Sequence, residues 1–246
     1  VGLGNPLSYV YKTRVSKHRN TYRSIRAITG ITPSNIFCYL QALRHHSASV
    51  KIHENGSRDS NERLEFLGDA VLSAVVAELL FKRYPVKDEG FLTEMRSKIV
   101  SRESLNALAM KIGLNELVQY DKRALGAQLR NTIFGNALEA FIGAVYLDKG
   151  YEAAQQFILR KLFIHIDIDK IQQTETNFKG RLMEWAQRNA KVVEFEAQEI
   201  PDGKTKIYRV HVLVDKTPMA TAENHSKKKA EQMAAEKTFE ALLTND

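Results

Sequence analysis

The chain has 246 residues, enough for one or two domains with a sizeable core, and its 43% hydrophobic share contains no apolar run near the ~18 residues of a membrane helix. A single cysteine, Cys38, excludes an intramolecular disulfide framework, and no compact apolar segment reads as a secretory signal, so a cytoplasmic setting without membrane contact is expected. The net charge of +7 is unevenly spread: residues 1–53 carry Lys12, Arg14, Lys17, Arg19, Arg23, Arg26, Arg44 and Lys51 with no Asp or Glu, which suits a polyanionic partner.

In chain order, residues 1–28 show little periodicity, with Tyr9, Tyr11 and Tyr22 among the basic side chains, and read as a basic N-terminal extension. A helix is predicted from Thr32-Pro33-Ser34, with Pro33 in its first turn and a stripe of Ile36, Phe37, Leu40 and Leu43. His45, His46 and His53 follow without the spacing of a zinc site. Residues 51–61, around Gly56, read as a loop. An apolar helix bearing acidic residues then runs from Glu62 to about Tyr84, where Pro85 stops it. Asp88-Glu89-Gly90 reads as a turn into Phe91–Val100, and a helix from Arg102 to Ile112 ends at Gly113. Residues 121–130 read as a mobile connection. Asn131 to Asp148 is predicted helical, with Asn136 and Glu139 on one face and Gly143 permitting close approach of another backbone. Tyr151 to about Ile166 closes this all-helical block.

The pattern then changes. Residues 169–176 are polar and weakly periodic, as in a linker. Asn177 caps a helix through Arg188 that carries Leu182 and Trp185. Val193, Phe195 and Ala197 alternate with polar residues in strand fashion, Pro201 to Lys204 turns the chain, and Tyr208, Val210, Val212 and Val214 alternate again. A short strand at Met219–Ala222 precedes a final helix with Ala230, Ala234, Thr238, Ala241 and Leu242 on one face. The second block, residues 177–246, is therefore α-β-β-β-α.

The chemistry concentrates in Asn61–Leu72. At ~100° per residue, Glu62, Glu65 and Asp69 fall on one helix face. Such a stack repels itself by roughly a few tenths of a kcal/mol per exposed pair, and by more where Leu64, Phe66, Leu67, Val71 and Leu72 bury it. Something positive is expected among them. Oxygen ligands without His or Cys suit Mg²⁺ or Mn²⁺ better than zinc. A solvated acidic face is the alternative, and the apolar setting favours the metal.

Asn61–Leu72, Glu89-Gly90-Phe91-Leu92, Gly135–Ala140 and Gly143–Asp148 together resemble, in order, the signature of ribonuclease III, the endonuclease that cuts double-stranded RNA. This resemblance implies an all-α catalytic domain over residues 29–168. Residues 177–246 resemble a double-stranded RNA-binding domain, a small α+β fold, with Ser226-Lys227-Lys228-Lys229-Ala230-Glu231 as its strongest mark. Carried over, the metal ligands are Glu65, Asp69, Asn136 and Glu139, with Asp69 and Glu139 the positions usually named catalytic. The implied cofactor is Mg²⁺, with Mn²⁺ possible, and no small-molecule cofactor. Glu62 and Glu89 would be auxiliary acids. In the family the residue matching Phe66 plugs into a partner subunit, which implies a homodimer with one site for each RNA strand. The products would be 5′-phosphate and 3′-hydroxyl ends with short 3′ overhangs, cut from ribosomal and other structured precursor RNAs. Lys227, Lys228 and Lys229 at a helix N-terminus would hold phosphates, and Glu184 with Lys179 or Met183 would reach 2′-hydroxyls, reading shape rather than sequence.

Three places in the chain depart from the family pattern. Asn136 stands where Asp is most common; its amide oxygen can ligate Mg²⁺ but brings no negative charge and cannot act as a base. The alternative reading is therefore a non-cleaving binder of double-stranded RNA on the same scaffold. Met183 replaces a residue that is often polar, and Asn224-His225 replaces the usual glycine before the Ser-Lys-Lys run. A helical phosphohydrolase acting on small nucleotides would need His-Asp ligand pairs, which the sequence does not supply.

Overall fold

The computed structural model describes residues 11–49, 59–123, 132–173, 177–203 and 205–243. The chain divides into two units, Val1–Gln172 and Gln173–Asp246.

In the first unit a wide turn at Tyr11–Val15 leads into α1 (Arg19–Thr29), followed by α2 (Ile36–Ala42), α3 (Glu62–Arg83), α4 (Glu89–Ile99), α5 (Arg102–Lys111), α6 (Ile133–Lys149), α7 (Tyr151–Phe157, continued by wider turns through Leu162) and α8 (Ile168–Gln173). The unit is organised around α6. From Ala140 to Val145 every residue of this helix is buried, as expected of a helix that is apolar all round. Its main neighbour is α3, which buries Leu64, Val71, Leu72, Val75, Val76 and Leu80. The two helices meet backbone to backbone. A β-carbon on Gly68 would lie 1.7 Å from the carbonyl oxygen of Glu139, and one on Gly143 would lie 2.5 Å from that of Leu64. No larger residue fits either place.

Capping fixes the other elements. Asp88 accepts from the Phe91 N–H at 2.9 Å and Ser101 from the Ser104 N–H at 3.2 Å, each satisfying an otherwise orphaned first-turn donor. The side chain of Asn106 on α5 reaches across to accept from the Gly135 N–H of α6 at 2.7 Å, supplying a partner that Thr132 does not.

The structure moves several predicted boundaries. Residues 19–28, read as part of a basic extension, form the first helix of this unit. Its Tyr22, Ile25 and Thr29 are buried at i, i+3 and i+7, a stripe too narrow to stand out among the basic residues. The second helix starts at Ile36 rather than around Pro33, because Asn35 is its cap and Asp148 accepts from the N–H groups of Ser34 and Asn35. Asp88 ends the predicted turn as a cap, so Glu89 and Gly90 already belong to α4. Part of the expected linker is helical: α8 packs Ile168 and Ile171 on the core, and Asp169 meets Arg83 at 2.7 Å. The loop around Gly56, His53 and much of the connection at 121–130 lie outside the described residues.

The second unit comprises α9 (Phe178–Arg188), β1 (Val193–Asp202), β2 (Thr205–Val214), β3 (Thr217–Asn224) and α10 (Lys227–Leu243), with an antiparallel sheet in the order β1-β2-β3. Asn177 caps α9 by accepting from the Gly180 N–H. Val210 and Val212 on β2 pack with Leu182, Ala230, Ala234 and Ala235 in a small core. Ala197 lies exposed although the alternation placed it inside, and the third strand is longer than predicted, since pairing extends from Val214↔Thr217 to Tyr208↔Asn224.

Candidate active site and RNA-facing surface

The Gly68–Gly143 contact sets the site. It brings the N-terminal turns of α3 against the first half of α6, so that Glu65, Asp69, Asn136 and Glu139 act on one another. Glu139 is half-buried, and its carboxyl is pushed up to about 7, first by burial and then by the charges of Asp69 and Glu65. Glu65 is raised in the same sense, first by burial. The Asn136 amide, hydrogen-bonding to that carboxylate, pulls it back down, while Glu62 and Asp69 push upward. Asp69 is exposed and accepts from Ser73 Oγ at 3.4 Å.

A positive side chain also acts on these acids: Arg102, the first residue of α5, whose charge opposes the upward shift of both Glu65 and Glu139. Sequence reasoning missed it. Its place beside the acids is set by the packing of α5 on α6, for which no local spacing gives a signal.

The donor set is oxygen only: three carboxylates and one amide. Among the described residues no three His, Cys, Asp or Glu side chains already stand in a metal-holding arrangement. Helix packing holds them close enough to repel one another, as the raised carboxyls of Glu65 and Glu139 record. A hard divalent cation would relieve that charge, so Glu65, Asp69, Asn136 and Glu139 fit Mg²⁺ or Mn²⁺ and give zinc none of its usual nitrogen or sulfur ligands.

The auxiliary acids lie differently. Glu62 is exposed, accepts from Ser60 Oγ at 2.9 Å and lies 3.9 Å from His46 Nδ1. Glu89 accepts from Thr93 Oγ1 at 2.9 Å and borders a groove with Phe81, Leu92 and Arg96. No contact among the described residues joins it to Glu65, Asp69 or Glu139 in its own chain. Phe66 points outward, 81% exposed.

In the second unit Lys227, Lys228 and Lys229 lie exposed on the first turn of α10. Asn224 accepts from the Ser226 N–H at 2.9 Å, so the residue that departs from the family pattern itself shapes the turn into this helix. Met183 and Glu184 are exposed on α9. Lys179 is tied into its own domain: its ammonium meets Glu231 at 2.7 Å and lies 4.7 Å from the centre of the Phe195 ring.

A helical unit that packs opposed carboxylates between two helices, joined in one chain to an α-β-β-β-α unit with a lysine-headed helix, defines a nuclease with an RNA-binding module. Family comparison agrees: residues 35–166 match the family described as Ribonuclease-III-like, and residues 178–242 match the double-stranded RNA binding motif. The chain is 44% identical over 223 residues to Ribonuclease 3 of Bacteroides thetaiotaomicron, covering 89% of this chain and 71% of that one. It is 42% identical over 229 residues to Ribonuclease 3 of Bacteroides fragilis, covering 92% and 78%. Among solved structures it resembles the nuclease domain of ribonuclease III from Campylobacter jejuni, described for flexibility in a region involved in dimer formation. The TM-score is 0.51 at 31% identity, over 57% of this chain and 95% of that one. The chain belongs to the ribonuclease III family and is an endoribonuclease acting on double-stranded RNA.

Proposed function

We propose that the chain works as a homodimer in the cytoplasm, uses Mg²⁺ or Mn²⁺ held by Glu65, Asp69, Asn136 and Glu139, and processes ribosomal and other structured precursor RNAs. Its products carry 5′-phosphate and 3′-hydroxyl ends with short 3′ overhangs. The observation that carries this reading is the meeting of α3 and α6 at Gly68 and Gly143, which crowds acids that their charges would otherwise keep apart.

When bound, a divalent cation supplies a more acidic water for in-line attack on phosphorus and charge for the leaving 3′ oxygen. The chain's own residues prepare that site. Asn136 steadies the Glu65 carboxylate by donating its amide N–H, which leaves its oxygen able to ligate the cation. Arg102 moderates the repulsion. Glu139, with its carboxyl near 7, holds a proton close to neutral pH until the site gains positive charge.

The homodimer is supported by α3. Phe66 and Phe81 are 81% and 70% exposed, and Ala70 and Ala74 lie exposed between them on the same side of the helix, an apolar stripe left uncovered among the described residues. Phosphate contact by Lys227, Lys228 and Lys229, and 2′-hydroxyl contact by Met183 and Glu184, are supported by their exposure. No helix among the described residues is long and apolar enough to cross a membrane.

The decisive experiment is cleavage of a long labelled RNA duplex in Mg²⁺ by the native chain, Glu139→Ala and Asn136→Asp. Native cutting that Glu139→Ala abolishes is the expected result. Cutting by Asn136→Asp alone would show that the site as it stands is disabled. In parallel, Mg²⁺ should raise the melting temperature of the native chain and leave Glu139→Ala unmoved.

A further inference from the structure

From Lys12 onward the basic N-terminal segment is packed on the first unit. Lys12 donates to the Pro33 carbonyl oxygen at 2.8 Å and lies 5.9 Å from the centre of the Tyr22 ring, and Tyr22 and Ile25 bury α1 in the core. On the outer side of this anchored element Arg14, Lys17, Arg19 and Arg23 are all exposed, and none makes an ion pair among the described residues. Lys161, from a second element, lies at the other end of α1, its Cε 3.9 Å from where a β-carbon of Gly30 would stand.

Two features say that folding does not call for these cations. First, Lys17 and Arg19 sit at the start of α1, which has no acidic residue in its first turn. At that end a positive charge opposes the helix dipole. Second, residues 1–53 contain no Asp or Glu to pair with them. The nearby Asp148 is committed to the N–H groups of Ser34 and Asn35 and to the Tyr39 hydroxyl, with its side chain only 1% exposed. A fixed cluster of cations that destabilises its own helix is complementary to an external row of anions.

We propose that this face is a second RNA contact, in which Arg14, Lys17, Arg19 and Arg23, with Lys161 at the edge, hold backbone phosphates of the duplex beyond the stretch being cut. The contact is independent of sequence and belongs to the first unit, separate from the lysines of α10. Asp148, which pins the segment following α1, lies nine residues from Glu139 on α6, about 14 Å along the helix axis. A duplex held at the carboxylates and continuing past that end of α6 therefore passes near the basic face. The proposal rests on the reading of the chain as a nuclease of double-stranded RNA.

The test measures affinity for a long RNA duplex, without divalent ion, as a function of KCl, for the full chain and for the variant Arg14→Gln, Lys17→Gln, Arg19→Gln, Arg23→Gln. Each lost phosphate contact reduces the slope of log affinity against log salt by about 0.9, so the fourfold variant should show a slope shallower by about 3 to 4. Its affinity for a duplex too short to pass the end of α6 should be unchanged. All four side chains are exposed and two of them oppose the helix dipole, so the melting temperature should hold or rise slightly. Should the fourfold variant fold poorly, Arg19→Gln and Arg23→Gln singly should each lower the slope by about 0.9. Equal slopes for native and variant chains on the long duplex, with tight native binding, would overturn this contact alone. Loss of affinity for anionic vesicles with unchanged duplex binding would also overturn it. Absence of duplex binding by the native chain would instead overturn the nuclease reading beneath it.

Discussion

The two units of this chain handle charge in opposite ways. The first gathers acids into a half-buried recess between α3 and α6, where burial and mutual repulsion raise Glu139 to about 7 and raise Glu65 with it. The second sets Lys227, Lys228 and Lys229 in open solvent on a helix whose inner face is small alanines. A recess of like charges exists only because the surrounding packing enforces it, so it is sensitive to single atoms. An exposed row of cations acts through long-range, salt-screened attraction and is additive.

The largest effect should come from the recess itself. Glu139→Ala removes the group that both burial and its neighbours press upon, and duplex cleavage should fall at least about a thousandfold, or ~4 kcal/mol in the barrier, with the fold intact. A circular dichroism spectrum like the native one beside the lost activity would make the point. Next is Gly68→Ala. The added methyl would have to occupy a point 1.7 Å from the Glu139 carbonyl oxygen. Helices α3 and α6 must separate, at about 3 kcal/mol, lowering the melting temperature by roughly 6–12 °C. A native melting temperature for Gly68→Ala would show that the helices do not meet as described.

The same contrast explains what the sequence made legible. Glu62, Glu65 and Asp69 stood out because three acids on one face of an apolar helix conflict with burial, and Asn136 and Glu139 because they share a face of a second such helix. The α-β-β-β-α order could be read because alternation at Val210, Val212 and Val214 and the alanine stripe of α10 are local patterns. Arg102 was not legible, since its relation to the acids depends on how α5 lies against α6. Nor was α1. Its three buried residues give a stripe one residue wide, and Lys12, which helps to anchor it, works through the distant carbonyl oxygen of Pro33.

A smaller and gentler probe of the recess is pH. In metal-free solution the folded chain keeps a proton on Glu139 up to about 7, whereas the unfolded chain releases it near the ordinary value of 4.5. The folded state therefore binds more protons across that window. Stability is greatest below the lower value and falls as pH rises through the upper one. The full shift corresponds to ~3 kcal/mol, and solvent screening at this half-exposed carboxyl reduces it to about 1–2 kcal/mol. Denaturant unfolding in EDTA at a series of pH values should show this decline for the native chain and a much flatter curve for Glu139→Gln. The raised carboxyl of Glu65 adds to the decline in the same direction.

The smallest effects should come from the second unit, and they separate two kinds of lysine. Lys228→Gln removes an exposed charge and should weaken duplex binding by a few-fold, lowering the salt slope by about 0.9, with Lys227→Gln and Lys229→Gln adding to it independently. Lys179→Gln should behave differently, although resemblance alone would group it with the RNA contacts. Its ammonium is bound to Glu231 and lies over the Phe195 ring, so its loss should cost about 1 kcal/mol of stability in the second unit and leave the salt slope nearly unchanged. A slope change for Lys179→Gln equal to that of Lys228→Gln would mean that the Glu231 pair opens when RNA arrives and that Lys179 turns to phosphate.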